Sequence, residues 1–416
     1  MWVCSRRCRP MYTRLTYRFG WLTRGALVAL LLSLGACSDD SETPTKDMGA
    51  QDMIAQDAAP REASADMPVG DSAPQVPDTV LPDASADPIT AADKTWTWVP
   101  FPGARCANDT PTGIGVSLNS ASTKVLIYMS GGGACWSAAT CKTFQLAVNL
   151  DGYDKTKFDA DKSVTENGVA VFDRTDSNNP YAEWNHVYIP YCTGDVHSGT
   201  QYSPVSGQHH VGYRNIGRYL SRLVPTFSSA TQVVFSGSSA GGVGTFLNYE
   251  QVQTAFGTIP VHVLNDSGAA MEETYLKPAL QTQWDAAWGI SKVFPSGCTD
   301  CKIGNIDAIY DYLATTYPKK RFALISSLAD KTLRKFYGFG NSPPKDLTAD
   351  DWKKGLNDIA DNKLSKLSNW RVFFIDSDVH VFFTKTGLTT TTKGTQLSDW
   401  ITAFNDDTDA WVDVRP

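Results

Sequence analysis

The chain has 416 residues, 42% hydrophobic and 19% charged, which is enough apolar material for a packed core and excludes a wholly disordered or collagen-like chain. Its net charge of −7 excludes a strongly basic nucleic-acid-binding protein, so no nucleic-acid partner is expected. The charge divides the chain into three segments. Residues 1–36 carry six Arg and no acid, residues 38–93 carry thirteen acids against two bases, and residues 94–416 carry 31 acids against 29 bases.

The first segment resembles an export signal. Residues 25–34 form an apolar run of ten, too short for a membrane-spanning helix but typical of a signal-peptide core. Leu34-Gly35-Ala36-Cys37 follows and resembles a bacterial lipobox, in which Cys37 is acylated. We therefore predict a lipoprotein signal peptide over 1–36 and an exported bacterial lipoprotein at the outer membrane or cell surface, attached only by its lipid anchor. The alternative is an ordinary secretory cleavage beside a chance cysteine.

The second segment has the composition of a tether. Residues 38–93 contain seven Pro and no Phe, Trp or Tyr, so they cannot bury enough apolar surface to offset the entropy of ordering. We predict a lipidated Cys37 with a disordered, acidic and Pro-rich tether over 37–93, followed by a folded domain over 94–416.

Six cysteines remain in the predicted domain, and an even number in an oxidising compartment favours three disulfides. Fifteen pairings are possible, but proximity favours Cys135–Cys141 and Cys298–Cys301, which leaves Cys106–Cys192. The alternative, half a zinc site at Cys298 and Cys301, lacks a second pair of ligands at the usual spacing. No metal is expected.

Buried-strand and helix patterns alternate through residues 94–416. Continuous apolar runs predict strands over Lys124–Met129, Asn185–Pro190, Gln232–Phe235, Val261–Leu264, Phe322–Ile325 and Arg371–Ile375. Helical periodicity predicts helices over Asn215–Leu223, Gly244–Phe256, Ile306–Tyr317 and Trp352–Leu367. This alternation predicts an α/β fold with a mainly parallel sheet covered by helices on both faces. Reactive residues are then expected beyond the carboxyl ends of the strands.

One strand runs into a Gly-x-Ser-x-Gly pattern. Gly237-Ser-Ser239-Ala-Gly241 lies between a predicted strand and a predicted helix, where a nucleophile elbow places its serine. The flanking glycines leave room for a sharp turn that exposes the hydroxyl. Ser239 is therefore the candidate nucleophile.

A serine needs a base, and acid and histidine follow the serine in proteins with this elbow. Only His262 and His380 follow Ser239. His262 lies inside a predicted strand, so a core imidazole is expected there, whereas His380 lies in a loop after a strand. Asp330 is the favoured acid, and Asp266 is its competitor, although an Asp at that point can also stabilise a turn through its own backbone.

Acyl transfer by a serine also needs amide donors for the oxyanion. The amide of Ala240, directly after the nucleophile, is one candidate. The glycine-rich segment 130–135 follows the first long strand and is expected to supply the others, because glycine lets the backbone approach a substrate closely. The segment lacks the Lys-Ser/Thr ending of a phosphate-binding loop.

Four motifs together resemble the pectin acetylesterase/Notum family. They are Gly131-Gly-Gly-Ala-Cys135-Trp, Pro190-Tyr-Cys192-Thr-Gly-Asp195-Val-His197-Ser-Gly199, Gly237-Ser-Ser-Ala-Gly-Gly242 and Asn265-Asp-Ser-Gly268. The resemblance spans residues 95–385 and implies an α/β-hydrolase-type fold and ester hydrolysis without metal or cofactor. It implies the following roles: Ser239 as nucleophile, Asp330 as acid, His380 as base, and the amides of Gly133, Ala134 and Ala240 as oxyanion hole. Plant members of the family remove acetyl groups from pectin, and the animal member removes a fatty acyl group from a signalling protein.

The chain departs from the family pattern at two positions. Ala134 stands where members usually have an aromatic residue, and His197 stands where animal members have Trp, which puts a polar ring near the site. Asp195 is expected to brace its own loop through local amides, and His209 and His210 are expected to face solvent.

The predicted function is that of a serine carboxylesterase that cleaves O-acyl esters, O-acetyl esters foremost, of an extracellular polysaccharide such as pectin through an acyl-enzyme. The alternatives are a non-catalytic polysaccharide-binding lipoprotein on the same fold, and a lipase or protein deacylase.

Overall fold

The computed structural model describes residues 87–161, 164, 168–384 and 386–416. The predicted signal peptide, Cys37 and most of the predicted tether lie outside these residues. The end of that tether belongs to the folded body: the Ile89 side chain is buried in the core, and the Asp93 carboxylate accepts hydrogen bonds from the amide and hydroxyl of Ser120. The fold therefore extends to the N-terminal side of the predicted boundary at residue 94.

Twelve strands are present in the described part of the chain, eight of them in one central sheet. Their bounds are β1 Thr97–Arg105, β2 Pro111–Ser117, β3 Lys124–Met129, β4 Asn185–Ile189, β5 Gln201–Ser203, β6 Gln208–His210, β7 Gln232–Ser238, β8 Val261–Asp266, β9 Phe322–Ser327, β10 Trp370–Ile375, β11 Thr391–Thr392 and β12 Thr395–Gln396. The strand order in the sheet is β1-β2-β4-β3-β7-β8-β9-β10. The β1–β2 and β2–β4 pairs are antiparallel and the others are parallel, while β5–β6 and β11–β12 form small hairpins.

Helices connect the parallel strands. The α-helices are α1 Lys155–Ala160, α2 Gly212–Thr226, α3 Ala240–Phe256, α4 Pro278–Trp288, α5 Ala308–Thr316, α6 Lys331–Gly338, α7 Ala349–Asn362 and α8 Leu397–Asp406. Short helical turns of other types cover Ala139–Thr143, Ala170–Phe172, Ile290–Val293 and Leu364–Lys366. Within the described residues no helix combines the length and apolarity needed to cross a lipid bilayer.

The sheet is buried on both faces, as its continuous apolar strands predict. Along β3, Val125 and Ile127 contribute to one apolar cluster, together with Ile216 of α2, whereas Leu126 contributes to a second cluster with Trp400 of α8. Successive side chains point to opposite faces of a strand, so each face has its own helical layer. The predicted α/β-hydrolase-like fold class is confirmed.

All three predicted disulfides are present. Cys106–Cys192 joins the loop after β1 to the loop after β4, and Cys135–Cys141 closes a short loop directly after the glycine-rich segment. Cys298–Cys301 spans three residues in the connection between α4 and α5. The second and third were expected from proximity, and the first then follows by elimination.

Parallel strands bring their carboxyl ends to the same edge of the sheet. The registers pair Met129 with Gly237 and Ser238 with Asp266, and they pair Ser327 with Ile375. The segments that follow these residues are the glycine-rich segment, the serine turn, and the loops that hold Asp330 and His380. This edge therefore gathers the candidate site.

Candidate active site

Ser239 occupies the sharp turn between β7 and α3. Its backbone has φ 58° and ψ −121°, a conformation that non-glycine residues adopt at a cost of about 1–3 kcal/mol. A Cβ added at Gly241 would lie 2.1 Å from the carbonyl oxygen of Met129, so the turn can pack against β3 only with glycine there. The Ser239 amide donates to the carbonyl oxygen of Asp266 at 2.8 Å, which helps to hold the strained residue. The predicted elbow geometry is present.

Asp330 and His380 form a buried pair. One oxygen of Asp330, Oδ1, accepts the amides of Thr332 and Leu333 at 2.9 Å and so caps α6, and the other, Oδ2, lies 2.7 Å from Nδ1 of His380. The Asp330 carboxylate is completely buried, while the His380 side chain is 19% exposed. A carboxylate only accepts hydrogen bonds, so Nδ1 carries the proton and Nε2 carries the lone pair. Nε2 is buried and has no hydrogen-bond partner among the described residues.

The glycine-rich segment packs directly on the serine turn. A Cβ added at Gly131 would lie 2.5 Å from the carbonyl oxygen of Ser238 and 2.8 Å from the Cβ of Ser239. Gly132 and Gly133 have φ values of 144° and 81°, which strongly favour glycine. Glycine therefore lets this backbone pack against the serine turn, whereas the sequence-based expectation concerned its approach to a substrate and stays a prediction.

The expected set of oxyanion donors needs one correction. The Ala134 amide donates to the carbonyl oxygen of Leu146 at 3.1 Å, so it is already engaged and does not face a substrate. The amides of Gly132, Gly133 and Ala240 have no acceptor within the described residues. Gly132, which the sequence reasoning passed over, replaces Ala134 as a candidate donor. Gly132 has a positive φ in the structure, and the sequence alone does not reveal this conformation.

Asp195 and His197 stabilise the loop beside the glycine-rich segment. The buried Asp195 carboxylate accepts the Thr193 hydroxyl at 2.6 Å and the Gly212 amide at 2.8 Å, as well as two amides of its own loop, which confirms its expected bracing role. His197 Nε2 lies 2.8 Å from the carbonyl oxygen of Ser130, at the start of the glycine-rich segment. Burial lowers the pKa of His197. The polar ring predicted near the site thus supports the backbone of this segment.

The remaining histidines have structural contacts. His262 is buried, its Nδ1 accepts the Arg321 amide, and burial lowers its pKa to about 3, so the expected core imidazole is confirmed. His209 is 33% exposed, but the expectation that His210 faces solvent is wrong. His210 is completely buried, with Nε2 2.8 Å from the Ser206 hydroxyl and Nδ1 2.7 Å from the Thr193 carbonyl oxygen. The Cys135–Cys141 sulfurs lie close to His210, but their mutual bond leaves no thiolate for a metal.

Of the two candidate acids, Asp330 is the one hydrogen-bonded to the His380 imidazole. Asp266 is nevertheless completely buried and binds two parts of the site. Its Oδ2 accepts the Ser238 hydroxyl at 2.7 Å and the amides of Phe382 and Phe383 at 2.9 and 3.2 Å. Sequence reasoning assigned this residue to a local turn or to the triad and missed its long-range contacts.

The fold and site define an α/β-hydrolase-like protein with a strained serine and a buried aspartate–histidine pair at the carboxyl edge of the sheet. The Pectinacetylesterase family model matches residues 91–371, about two thirds of the chain, and the chain belongs to this family. The match includes Ser239 and Asp330 and ends before His380. The position of His380 is therefore supported by its contact with Asp330 rather than by the match.

Similar proteins are named as palmitoleoyl-protein carboxylesterases. The notum2 protein of Xenopus laevis is 29% identical over 181 residues, which cover 41% of this chain and 36% of that protein. NOTUM of Homo sapiens is 28% identical over 173 residues, covering 39% and 34%. NOTUM of Schmidtea mediterranea is 30% identical over 139 residues, covering 33% and 26%. The chain thus spans about a third or less of the length of these relatives.

These names agree with the enzyme class that the sequence predicts, because the family and the relatives are all named as carboxylic ester hydrolases. The three disulfides fit an extracytoplasmic protein.

Proposed function

We propose that this protein is an exported serine carboxylesterase that hydrolyses O-acyl esters, and that its substrate is an O-acetylated polysaccharide such as pectin. The observation that carries the proposal is the buried Asp330–His380 hydrogen bond, which leaves Nε2 of His380 as an unpartnered base at the sheet edge that holds Ser239. Family membership supports the reaction class, and the family description, Pectinacetylesterase, favours an acetylated substrate. Export with a lipid anchor at Cys37 is part of the same proposal.

The mechanism uses the chain's own residues. His380 Nε2 takes the proton of the Ser239 hydroxyl as its oxygen attacks the ester carbonyl carbon, and Asp330 stabilises the imidazolium through Nδ1–H. The amides of Gly132, Gly133 and Ala240 donate to the oxyanion. His380 then gives the proton to the leaving alcohol, and water repeats these steps on the acyl-enzyme. Nε2 of His380 and the three amides have no hydrogen-bond partner among the described residues, and Asp330 already accepts Nδ1–H of His380.

A substitution at Ser239 tests the proposal. We expect Ser239→Ala to abolish hydrolysis of p-nitrophenyl acetate and labelling by a fluorophosphonate, with an unchanged unfolding midpoint, because it removes only the attacking oxygen. Ser236→Ala is the matched control, since Ser236 is a buried serine on β7, the strand that leads into Ser239, and its hydroxyl donates to the Leu264 carbonyl oxygen. Wild-type turnover in Ser239→Ala would refute the assignment. A wild-type protein that neither hydrolyses esters nor reacts with the probe would instead favour a non-catalytic binding protein.

The relatives' names favour a second candidate, hydrolysis of a long-chain acyl ester. Acetate release from a panel of acetylated polysaccharides, compared with turnover of p-nitrophenyl acetate and p-nitrophenyl octanoate, separates the two. Greater kcat/KM for the octanoate together with no acetate release would favour the fatty-acyl candidate over the acetylesterase.

A further inference from the structure

Asp266 bridges the nucleophile turn and the histidine loop. On the nucleophile side, its Oδ2 accepts the Ser238 hydroxyl at 2.7 Å, and its backbone oxygen accepts the Ser239 amide at 2.8 Å. On the histidine side, its carboxylate accepts the amides of Phe382 and Phe383, two and three residues after His380. The buried Asp266 side chain thus connects the nucleophile turn with amides that lie 116 and 117 residues after Asp266 in the sequence.

The histidine loop needs such an anchor. Val381, directly after His380, has φ 66°, a left-handed conformation that a β-branched residue rarely adopts. The amides of the next two residues bind Asp266, and on the other side of His380 the Val379 carbonyl oxygen accepts the Ser327 hydroxyl at 2.6 Å. His380 therefore lies between two buried anchors, Ser327 and Asp266, and Asp266 also hydrogen-bonds the serine turn.

The contacts of Asp266 go beyond a local turn. The amides of Phe382 and Phe383 can only donate hydrogen bonds, and the hydroxyls of Ser238 and Ser267 also donate to the carboxylate. A carboxylate supplies acceptors for all four donors, whereas an apolar side chain would leave buried amides unpaired. Among the described residues no hydrogen bond joins Asp266 to the Asp330–His380 pair, so the hydrogen bonds of Asp266 reach the base through the backbone of its loop.

From this arrangement we propose that Asp266 is a positioning residue that fixes the imidazole of His380 relative to Ser239. The expected loss of kcat rests on the proposed esterase function, whereas the expected displacement of the imidazole does not. Loss of the anchor lets the loop relax around Val381 and moves the imidazole away from the serine. A misplacement of about 1 Å can lower the rate about a hundredfold.

The principal test compares Asp266→Ala with Asp266→Asn. The alanine variant is expected to lower kcat for p-nitrophenyl acetate about a hundredfold with an unchanged KM, because orientation rather than binding is lost. The asparagine oxygen can take the Oδ2 position and keep the Ser238, Phe382 and Phe383 contacts, so this variant should retain kcat within about tenfold of the wild type. Unfolding midpoints are measured for both.

Two serine variants provide a second test that remains valid if Asp266→Ala does not fold. Ser238→Ala removes one hydroxyl bond to Asp266, whereas Ser236→Ala removes an equivalent buried hydroxyl bond on the same strand that does not involve Asp266. We expect Ser238→Ala to lower kcat about tenfold and Ser236→Ala to change it less than twofold. Equal kcat in the two variants would contradict the coupling through Asp266.

Nitrogen-15 NMR of the His380 imidazole gives a readout that needs no substrate. We expect one tautomer with Nδ1 protonated in the wild type and in Ser236→Ala, and mixed or broadened signals in Asp266→Ala. If no ester is turned over but this difference is observed, the proposed function fails and the positioning role stands. If Asp266 variants lose stability but keep both kcat and the single tautomer, Asp266 is only structural and the proposal is overturned.

Discussion

Asp330→Asn separates two functions of one buried carboxylate. Oδ1 caps α6 by accepting the amides of Thr332 and Leu333, and Oδ2 accepts Nδ1–H of His380. Asparagine has a single side-chain oxygen and must choose between these partners. If its NH2 group faced the two helix amides, the buried Leu333 amide would lose its acceptor at about 1–3 kcal/mol, and the half-buried Thr332 amide would lose its acceptor as well. The oxygen should therefore stay on the helix, and the NH2 group should face His380.

The expected magnitudes follow from that choice. Asparagine is as good an N-cap as aspartate, so the free energy of unfolding should change by less than about 1 kcal/mol. The NH2 group donates to Nδ1, so the imidazole proton moves to Nε2, where the base needs a lone pair. In a Ser-His-Asp triad this wrong tautomer lowers kcat by about 10⁴-fold, which corresponds to about 5 kcal/mol of activation free energy.

The assay compares kcat for p-nitrophenyl acetate with urea unfolding in three variants. Asp330→Asn should lose activity but keep its stability, whereas Asp330→Ala should lose both because the cap is removed. Asp154→Asn is the control: Asp154 caps α1 through the Lys157 amide, so the same substitution there should leave kcat unchanged. Wild-type kcat in a folded Asp330→Asn protein would refute the orienting role. A loss of stability equal to that of the alanine variant would refute the predicted amide orientation.

Two further predictions concern packing and pH. Gly131→Ala places a methyl group 2.5 Å from the Ser238 carbonyl oxygen and should lower kcat about a hundredfold by displacing the serine turn. Gly103→Ala is the control and should leave kcat unchanged, because its methyl group would lie 3.3 Å from Nε of the Arg218 side chain, which can adjust its rotamer. Equal kcat values in the two variants would contradict the packing argument. Burial lowers the pKa of His186 and His262 to about 3, so below pH 6.5 the unfolded chain binds protons that the folded chain does not. The free energy of unfolding should therefore fall as the pH drops from about 6.5 towards 3, by about 2 kcal/mol per imidazole at pH 5. Urea unfolding measures this loss in the wild type and in His262→Asn, which lacks the contribution of one imidazole. A free energy of unfolding that is equal at pH 7 and pH 5 would contradict this prediction.

The parallel part of the sheet was predictable because its strands are buried on both faces. The expected strand Lys124–Met129 has the observed bounds, and the expected helix Gly244–Phe256 lacks only its first turn. The antiparallel edge was missed because β1 contains Pro100 and Pro102 and β2 contains Gly113 and Gly115, residues that disfavour strands. Gly115 has a tertiary reason: a Cβ there would lie 2.3 Å from the Phe158 ring.

The errors at individual residues share a cause. Ala134 was expected to offer a free amide and His210 to face solvent, but each meets a partner from another loop: the Leu146 carbonyl oxygen for Ala134, and Ser206 and Thr193 for His210. Local sequence contains no information about those partners. The three disulfides were easier to predict because each Cys has a small set of possible partners of its own type.

Asp266 shows why a motif can point to a site without revealing a residue's role. The segment Asn265-Asp-Ser-Gly268 looks like a turn, and an Asp in a turn ordinarily bonds nearby amides. Here the closest amide partners of the carboxylate come from residues 382 and 383, in a loop that strand order alone brings to the same edge. The proposed set of Ser239, Asp330 and His380 can be predicted from chain order and the elbow, because each of its chemical roles requires a particular residue type. A residue that binds the backbone of another loop has no such constraint on its type or spacing. Its role can therefore be recognised only in the structure, where the two loops lie together.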